Sequence, residues 1–152
     1  MTLEDTQRII DQDTRKRNNA ESAGRGQSEQ WGIRALDLTN QFRQGHSLPA
    51  LSWNQALHDI AMEHCVAMAD GVVPIGHANF DARSAKVPFF KRSFAENVAY
   101  NYGQADAVQC AVTGWINSPG HRANMLSTQS LCGIAVYCKY GHFYFTQLFA
   151  LT

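Results

Sequence analysis

The sequence carries no excess of charge of either sign: thirteen Lys and Arg balance thirteen Asp and Glu among its 152 residues. No global field therefore steers it toward nucleic acid or anionic lipid, and the basic stripe of a dedicated nucleic-acid binder is missing. Long hydrophobic runs are missing too. No stretch approaches the ~20 consecutive apolar residues that span a bilayer, so no transmembrane segment is expected. The opening Met1-Thr2-Leu3-Glu4-Asp5 is polar and acidic. It lacks the basic and apolar regions of a secretory leader, which makes a cytoplasmic or otherwise intracellular location the expectation. Cysteine is sparse: Cys65, Cys110, Cys132 and Cys138. The last two fall in one apparent strand, about 20 Å apart at a rise of about 3.3 Å per residue, too far to bridge. They match no zinc spacing either, and buried thiols are the expectation.

What is present is enough for one domain. Apolar side chains make up 45% of the chain, and its length leaves no room for a second core. Residues 1–27 are the exception, dense in charge (Glu4, Asp5, Arg8, Asp11, Lys16) and closing on the linker-like Ser22-Ala23-Gly24-Arg25-Gly26. They read as a polar tail, or as an arm that docks a protein partner. Leu3, Ile9 and Ile10 could line a short helix behind an N-cap at Thr2. The domain proper is expected over 28–152.

Within it, Trp31, Ala35, Leu38 and Phe42 recur at helical spacing before Gly45. Ser52-Trp53-Asn54-Gln55 has the form of a capping box, and Leu57, Ile60, Ala61, His64 and Met68 follow on one helical face. Residues 72–94 read as loop with short helical turns. A strand over 96–102, a helix over 104–117 and an antiparallel hairpin of strands 133–139 and 142–150 complete the pattern. The aromatic residues of these strands, Tyr100 to Phe149, are read mainly as core packing.

Three titratable residues stand in unusual settings. His77 lies in the loop Gly76-His77-Ala78-Asn79-Phe80. Glu96 opens a strand, where a carboxylate has poor propensity. His121 follows the turn Ser118-Pro119-Gly120. The remaining histidines, His46, His58, His64 and His142, read as packing or surface residues. Ser118 lies near His121, but no G-x-S-x-G elbow accompanies it and turn chemistry accounts for it.

The segments Phe94-Ala95-Glu96-Asn97-Val98-Ala99, Trp115-Ile116-Asn117-Ser118-Pro119-Gly120-His121-Arg122-Ala123-Asn124-Met125-Leu126 and Gly133-Ile134-Ala135-Val136 resemble the CAP superfamily, whose SCP domain occurs in cysteine-rich secretory, antigen-five and pathogenesis-related proteins. Leu48-Pro49-Ala50-Leu51-Ser52-Trp53-Asn54 is similar to that family's entry into its second helix. The likeness spans about 31–150 and sides with the disulfide-free branch of bacteria and protists. It implies an α+β fold, a three-layer α-β-α sandwich with a central antiparallel sheet. It also implies a cleft where His77, Glu96 and His121 meet. The family's fourth cleft residue, a glutamate, is replaced here by Ser118.

Two imidazoles and a carboxylate are donors for a weakly held divalent metal such as Zn²⁺. The resemblance thus implies a non-catalytic binding module whose cleft takes such a metal, with His77, His121 and Glu96 as ligands, or a small ligand, lipid-like ones included. Two alternatives stay open: a structural or interaction subunit of a larger assembly, anchored through its N-terminal arm, and a metal-dependent hydrolase using metal-activated water.

Overall fold

The structure, a computed structural model, describes the backbone from Thr2 to Thr152, and the side chains of Thr2, of residues 4–6 and of residues 26–152. The chain opens with helix α1, Leu3–Gly45, behind a capping box in which the Thr2 hydroxyl accepts from Asp5 N–H and the Asp5 carboxylate accepts from Thr2 N–H. The helix crosses both the linker-like stretch and the boundary expected near residue 28. The side chains that would make residues 7–25 a docking arm lie outside the described residues. The helix ends near the expected stop, but Gly45 is its last helical residue and the left-handed residue that turns the chain is Ser47, with Leu48 N–H donating to the Arg43 carbonyl.

Strand β1 (Ser52–Trp53) follows, then helices α2 (Gln55–Ala69) and α3 (Phe80–Lys86), strand β2 (Ser93–Tyr102), helices α4 (Ala107–Ile116) and α5 (Pro119–Met125), and strands β3 (Leu131–Lys139) and β4 (His142–Leu151). The sheet order is β1-β3-β4-β2. Its pairs are antiparallel except for the two-residue β1, which runs parallel to β3. That pairing displaces the expected capping box. Ser52 N–H donates to the Ser130 carbonyl and Asn54 N–H to that of Cys132, so the α2 cap moves to Asn54, whose side chain accepts from Leu57 N–H. The Ser118-Pro119-Gly120 segment, read as a turn, is the start of a short helix with proline in its first turn.

Strand periodicity sorts the core into two halves, one on each side of the sheet. Cys132, Ile134, Val136, Phe145 and Phe149 face α1 and α4, meeting Ala35, Leu36, Val108, Val112 and Trp115. Val98, Ala135, Leu148 and Ala150 face α2, meeting Leu57, Ile60, Ala61, Cys65 and Met68. The result is the three-layer α-β-α sandwich. Two glycines set how closely the layers approach at β3. A Cβ on Gly32 would lie 2.2 Å from the Ile134 carbonyl oxygen, and one on Gly133 would lie 2.3 Å from His58 N. Only hydrogen fits at either place.

Cys65 and Cys132 are buried as expected, with burial pushing the Cys65 thiol up to about 12, whereas Cys110 is half-buried and Cys138 is exposed at the far end of β3. The aromatic residues also divide. Phe145 and Phe149 fill the core, while Tyr100, Tyr102 and Tyr140 remain at the surface.

Candidate functional site around Glu96

Strand β2 is an edge of the sheet, and Glu96 near its start is nevertheless buried, with 1% of its side chain exposed. A buried carboxylate requires paired charge and hydrogen-bond donors, and α3 supplies them. Arg83 Nε donates to Glu96 Oε2 at 2.6 Å and Nη2 to Oε1 at 2.8 Å, the two-pronged geometry that matches a guanidinium to a carboxylate. Oε1 also lies 2.9 Å from His77 Nδ1. A carboxylate can only accept, so the His77 proton sits on Nδ1. In the neutral ring Nε2 then carries the lone pair, on a side chain that is 55% exposed.

Arg83 also fixes the loop that carries His77. Its Nη1 donates to the Ala78 carbonyl at 2.6 Å and to His64 Nδ1 at 3.0 Å. His64 Nε2 lies 2.6 Å from the Gly76 carbonyl, so the carbonyls on either side of His77 are both held. Between an arginine donor and a carbonyl acceptor, His64 is restricted to the neutral form protonated on Nε2. Burial lowers its pKa from the usual histidine value; the Gly76 contact opposes that shift and the Arg83 charge adds to it.

His121 is brought to the same edge by α5. Asn97, next to Glu96 and fully buried, donates from Nδ2 to the His121 carbonyl at 3.1 Å and to Gln147 Oε1 at 3.0 Å. Asn124, one turn beyond His121, donates to the Glu96 carbonyl at 3.1 Å and to Asn97 Oδ1 at 2.9 Å. The thread continues through the sheet, because Gln147 Nε2 donates to the Thr39 hydroxyl and Thr39 donates to the Ala35 carbonyl of α1. The His121 ring is half-buried, and its Nδ1 lies 2.8 Å from Ser118 Oγ. Burial lowers its pKa, and the nearby His77 lowers it further.

His77 and Glu96 are thus in direct contact, and His121 is tied to the same strand through backbone and asparagine bonds. An open hollow of about 380 Å³ is lined by His77, Phe80, Phe94, Ala95, Glu96 and Asn124; His121 is not in this lining. Among the described residues no group of three or more His, Cys, Asp or Glu side chains is arranged to hold a metal ion. Both Glu96 oxygens are occupied by Arg83, one of them also by His77. In both His77 and His121 the protein hydrogen bond is made at Nδ1, which leaves Nε2 of each ring without a protein partner. Sequence reasoning missed Arg83 and placed His64 among packing or surface residues. Neither carried a local signal, because what makes each functional is a partner that only folding supplies.

Comparison with known proteins is consistent with this architecture. The model of the cysteine-rich secretory protein family, CAP, matches residues 36–149. The chain is 35% identical over 113 residues to the uncharacterized membrane protein YlbC of Bacillus subtilis, covering 69% of this chain and 31% of YlbC. Among the described residues here, no helix is long and apolar enough to cross a membrane. The crystal structure of an extracellular SCP-domain protein from Bacillus anthracis is similar with a TM-score of 0.71 and 30% identity, covering 82% of this chain and 41% of that one. An outer surface protein of Borrelia burgdorferi shares the fold with a TM-score of 0.67 at 19% identity, covering 76% of this chain and 88% of that one. This chain therefore spans less than half the length of YlbC and of the Bacillus anthracis protein.

The expectation of an intracellular location is overturned, since the Bacillus anthracis protein to which the chain is 30% identical is an extracellular one. That expectation rested on the polar opening Met1-Thr2-Leu3-Glu4-Asp5, and the character of five residues does not decide the compartment in which the folded domain works. Nor do its unpaired thiols, since a core that needs no disulfide stands in either. Helices on both faces of the sheet already bury two apolar clusters. With the family model covering residues 36–149 on a sandwich of this topology, the chain belongs to the CAP family of cysteine-rich secretory proteins.

Proposed function

We propose that this chain is a non-catalytic CAP-domain binding module, whose cleft at His77, Glu96 and His121 takes its ligand at imidazole Nε2 atoms. A weakly held divalent cation such as Zn²⁺ is the ligand these donors suit. The observation that carries the reading is the state of His77: its Nδ1 is committed to a buried carboxylate while its Nε2 is free on an exposed ring. A carboxylate behind an imidazole is the usual orienting partner of a metal-binding histidine.

Neutral imidazoles suit zinc and similar borderline cations, and the lowered pKa of His121 keeps that ring neutral below the ordinary histidine range. Glu96 orients rather than ligates, because Arg83 already occupies its oxygens. Two protein nitrogens then hold the ion, with the remaining positions left to water or to a ligand group. When bound, such an ion supplies a Lewis-acidic point for an anionic or carbonyl oxygen.

Calorimetric titration with Zn²⁺ tests the proposal on the wild type and the His77→Ala/His121→Ala variant. The expected result is binding by the wild type alone, weakening as pH falls through about 6.5, where imidazoles take up protons. Equal binding by both proteins, or by neither, removes the metal reading.

A further inference from the structure

Ser118 occupies the N-cap of α5, a position where a serine hydroxyl ordinarily accepts a hydrogen bond from a backbone N–H of the first turn. Here it makes no such bond. Its Oγ lies instead 2.8 Å from His121 Nδ1, three residues ahead in that turn. The two cleft histidines therefore share a plan, with Nδ1 held by a protein oxygen and Nε2 left without a protein partner. The oxygens differ in what they can do. The Glu96 carboxylate only accepts, which fixes His77 in one tautomer, whereas a hydroxyl either donates or accepts.

We infer that Ser118 is a positioning residue that holds the His121 ring while leaving its tautomer reversible. When Ser118 donates to Nδ1, the His121 proton sits on Nε2 and the ring offers a hydrogen-bond donor. When Ser118 accepts from Nδ1–H, Nε2 offers a lone pair. The cleft then presents an acceptor at His77 and a second group at His121 that turns from donor to acceptor when water takes the Nε2 proton and supplies one to Nδ1, the Ser118 hydroxyl rotating to accept and the ring staying in place. The chemistry this suits is either a cation, which needs both lone pairs, or a hydroxyl group, which gives a hydrogen bond to one nitrogen and takes one from the other. This assignment rests on the proposal that His121 belongs to the ligand cleft. It places the selectivity of that cleft in a residue that lies outside its lining.

The test compares wild type with Ser118→Ala and Ser118→Asp. Imidazole ¹⁵N spectra of the metal-free proteins, assigned through His77→Ala and His121→Ala, report the tautomer of each ring. The expected result is that Ser118→Asp, which only accepts, drives His121 to the Nδ1–H form, and that Ser118→Ala changes its tautomer ratio. His77 stays Nδ1–H throughout. Ser118→Ala lowers Tm only slightly, since the bond to His121 Nδ1 is lost but no cap bond is. Zn²⁺ affinity rises roughly tenfold in Ser118→Asp, the scale on which orienting partners act. An identical His121 tautomer ratio in all three proteins overturns the inference, as does a large fall in Tm for Ser118→Ala with unchanged spectra, which marks an ordinary cap. If the tautomers shift as expected but none of the proteins binds zinc, the role of Ser118 on His121 stands and the metal reading of the cleft falls.

Discussion

At the scale of single residues, a charge paired out of reach of water tolerates change poorly. Glu96 and Arg83 have 1% and 7% of their side chains exposed, and each is satisfied mainly by the other. Removing one member of such a pair strands a buried charge, which typically costs about 3–5 kcal/mol, whereas replacing both with apolar groups of similar volume often costs far less. Arg83→Met is therefore expected to lower the chemical-denaturation midpoint strongly, and Arg83→Met/Glu96→Leu to recover much of the loss. Equal midpoints for the single and double variants would show that Glu96 is well satisfied without its arginine. The single variant also releases the Ala78 carbonyl and the His64 ring, so the loop bearing His77 loosens along with the pair.

At the scale of elements, the sandwich depends on how closely helices lie against β3. Substituting Gly133 puts a methyl group 2.3 Å from the His58 amide nitrogen and 2.7 Å from the Leu57 carbonyl carbon. These are backbone atoms that cannot swing aside, so α2 has to lift. Gly133→Ala is expected to cost about 1–3 kcal/mol, the usual scale of overpacking, measured by urea denaturation. Gly114→Ala serves as the control, because nothing lies within 4 Å of its added carbon. Similar losses in both variants would trace the effect to something other than this contact.

The elements were also the most legible part of the sequence. The apolar stripe of α2 and the 139–142 hairpin follow from local periodicity and turn chemistry, and the structure has them where those signals lie. Ser52 misled because its backbone joins a parallel strand contributed from nearly eighty residues away. The candidate site was legible through unusual local settings joined by motif likeness. His77, Glu96 and His121 were singled out by unusual settings, but Arg83 looks like any helical surface arginine until α3 docks on β2. Asn97 and Asn124 stood inside the recognised segments without any local feature to mark them as the clasp between β2 and α5.

At the scale of the whole molecule, two histidines link protonation to folding. The pKa of His64 and of His121 is lowered in the folded state, chiefly by burial. The unfolded chain, with histidines near ~6.5, binds more protons than the folded one as the pH drops below that value. Stability from these two groups is thus complete above about 6.5 and is lost as the pH falls toward their folded values. Thermal melts between pH 8 and pH 5 are expected to show Tm falling in the acid half of that range. His64→Gln flattens the fall, because it removes the more deeply buried of the two rings. A Tm that is flat to pH 5 in the wild type would refute this linkage.

The close fit of α1 on one side of β3 and α2 on the other has a consequence for how the molecule opens. A strand with Gly32 pressed on one face and its own Gly133 admitting a helix on the other has no route for water to reach its amides short of separating a whole layer. Hydrogen exchange of residues 132–136 should therefore track global unfolding. β2 lies at the sheet border, where asparagine and tryptophan side chains, rather than another strand, cover the Glu96 and Val98 carbonyls. The rim that carries Glu96 can breathe while the centre stays shut, so exchange of the ligand proposed for His77 requires no cooperation from the core.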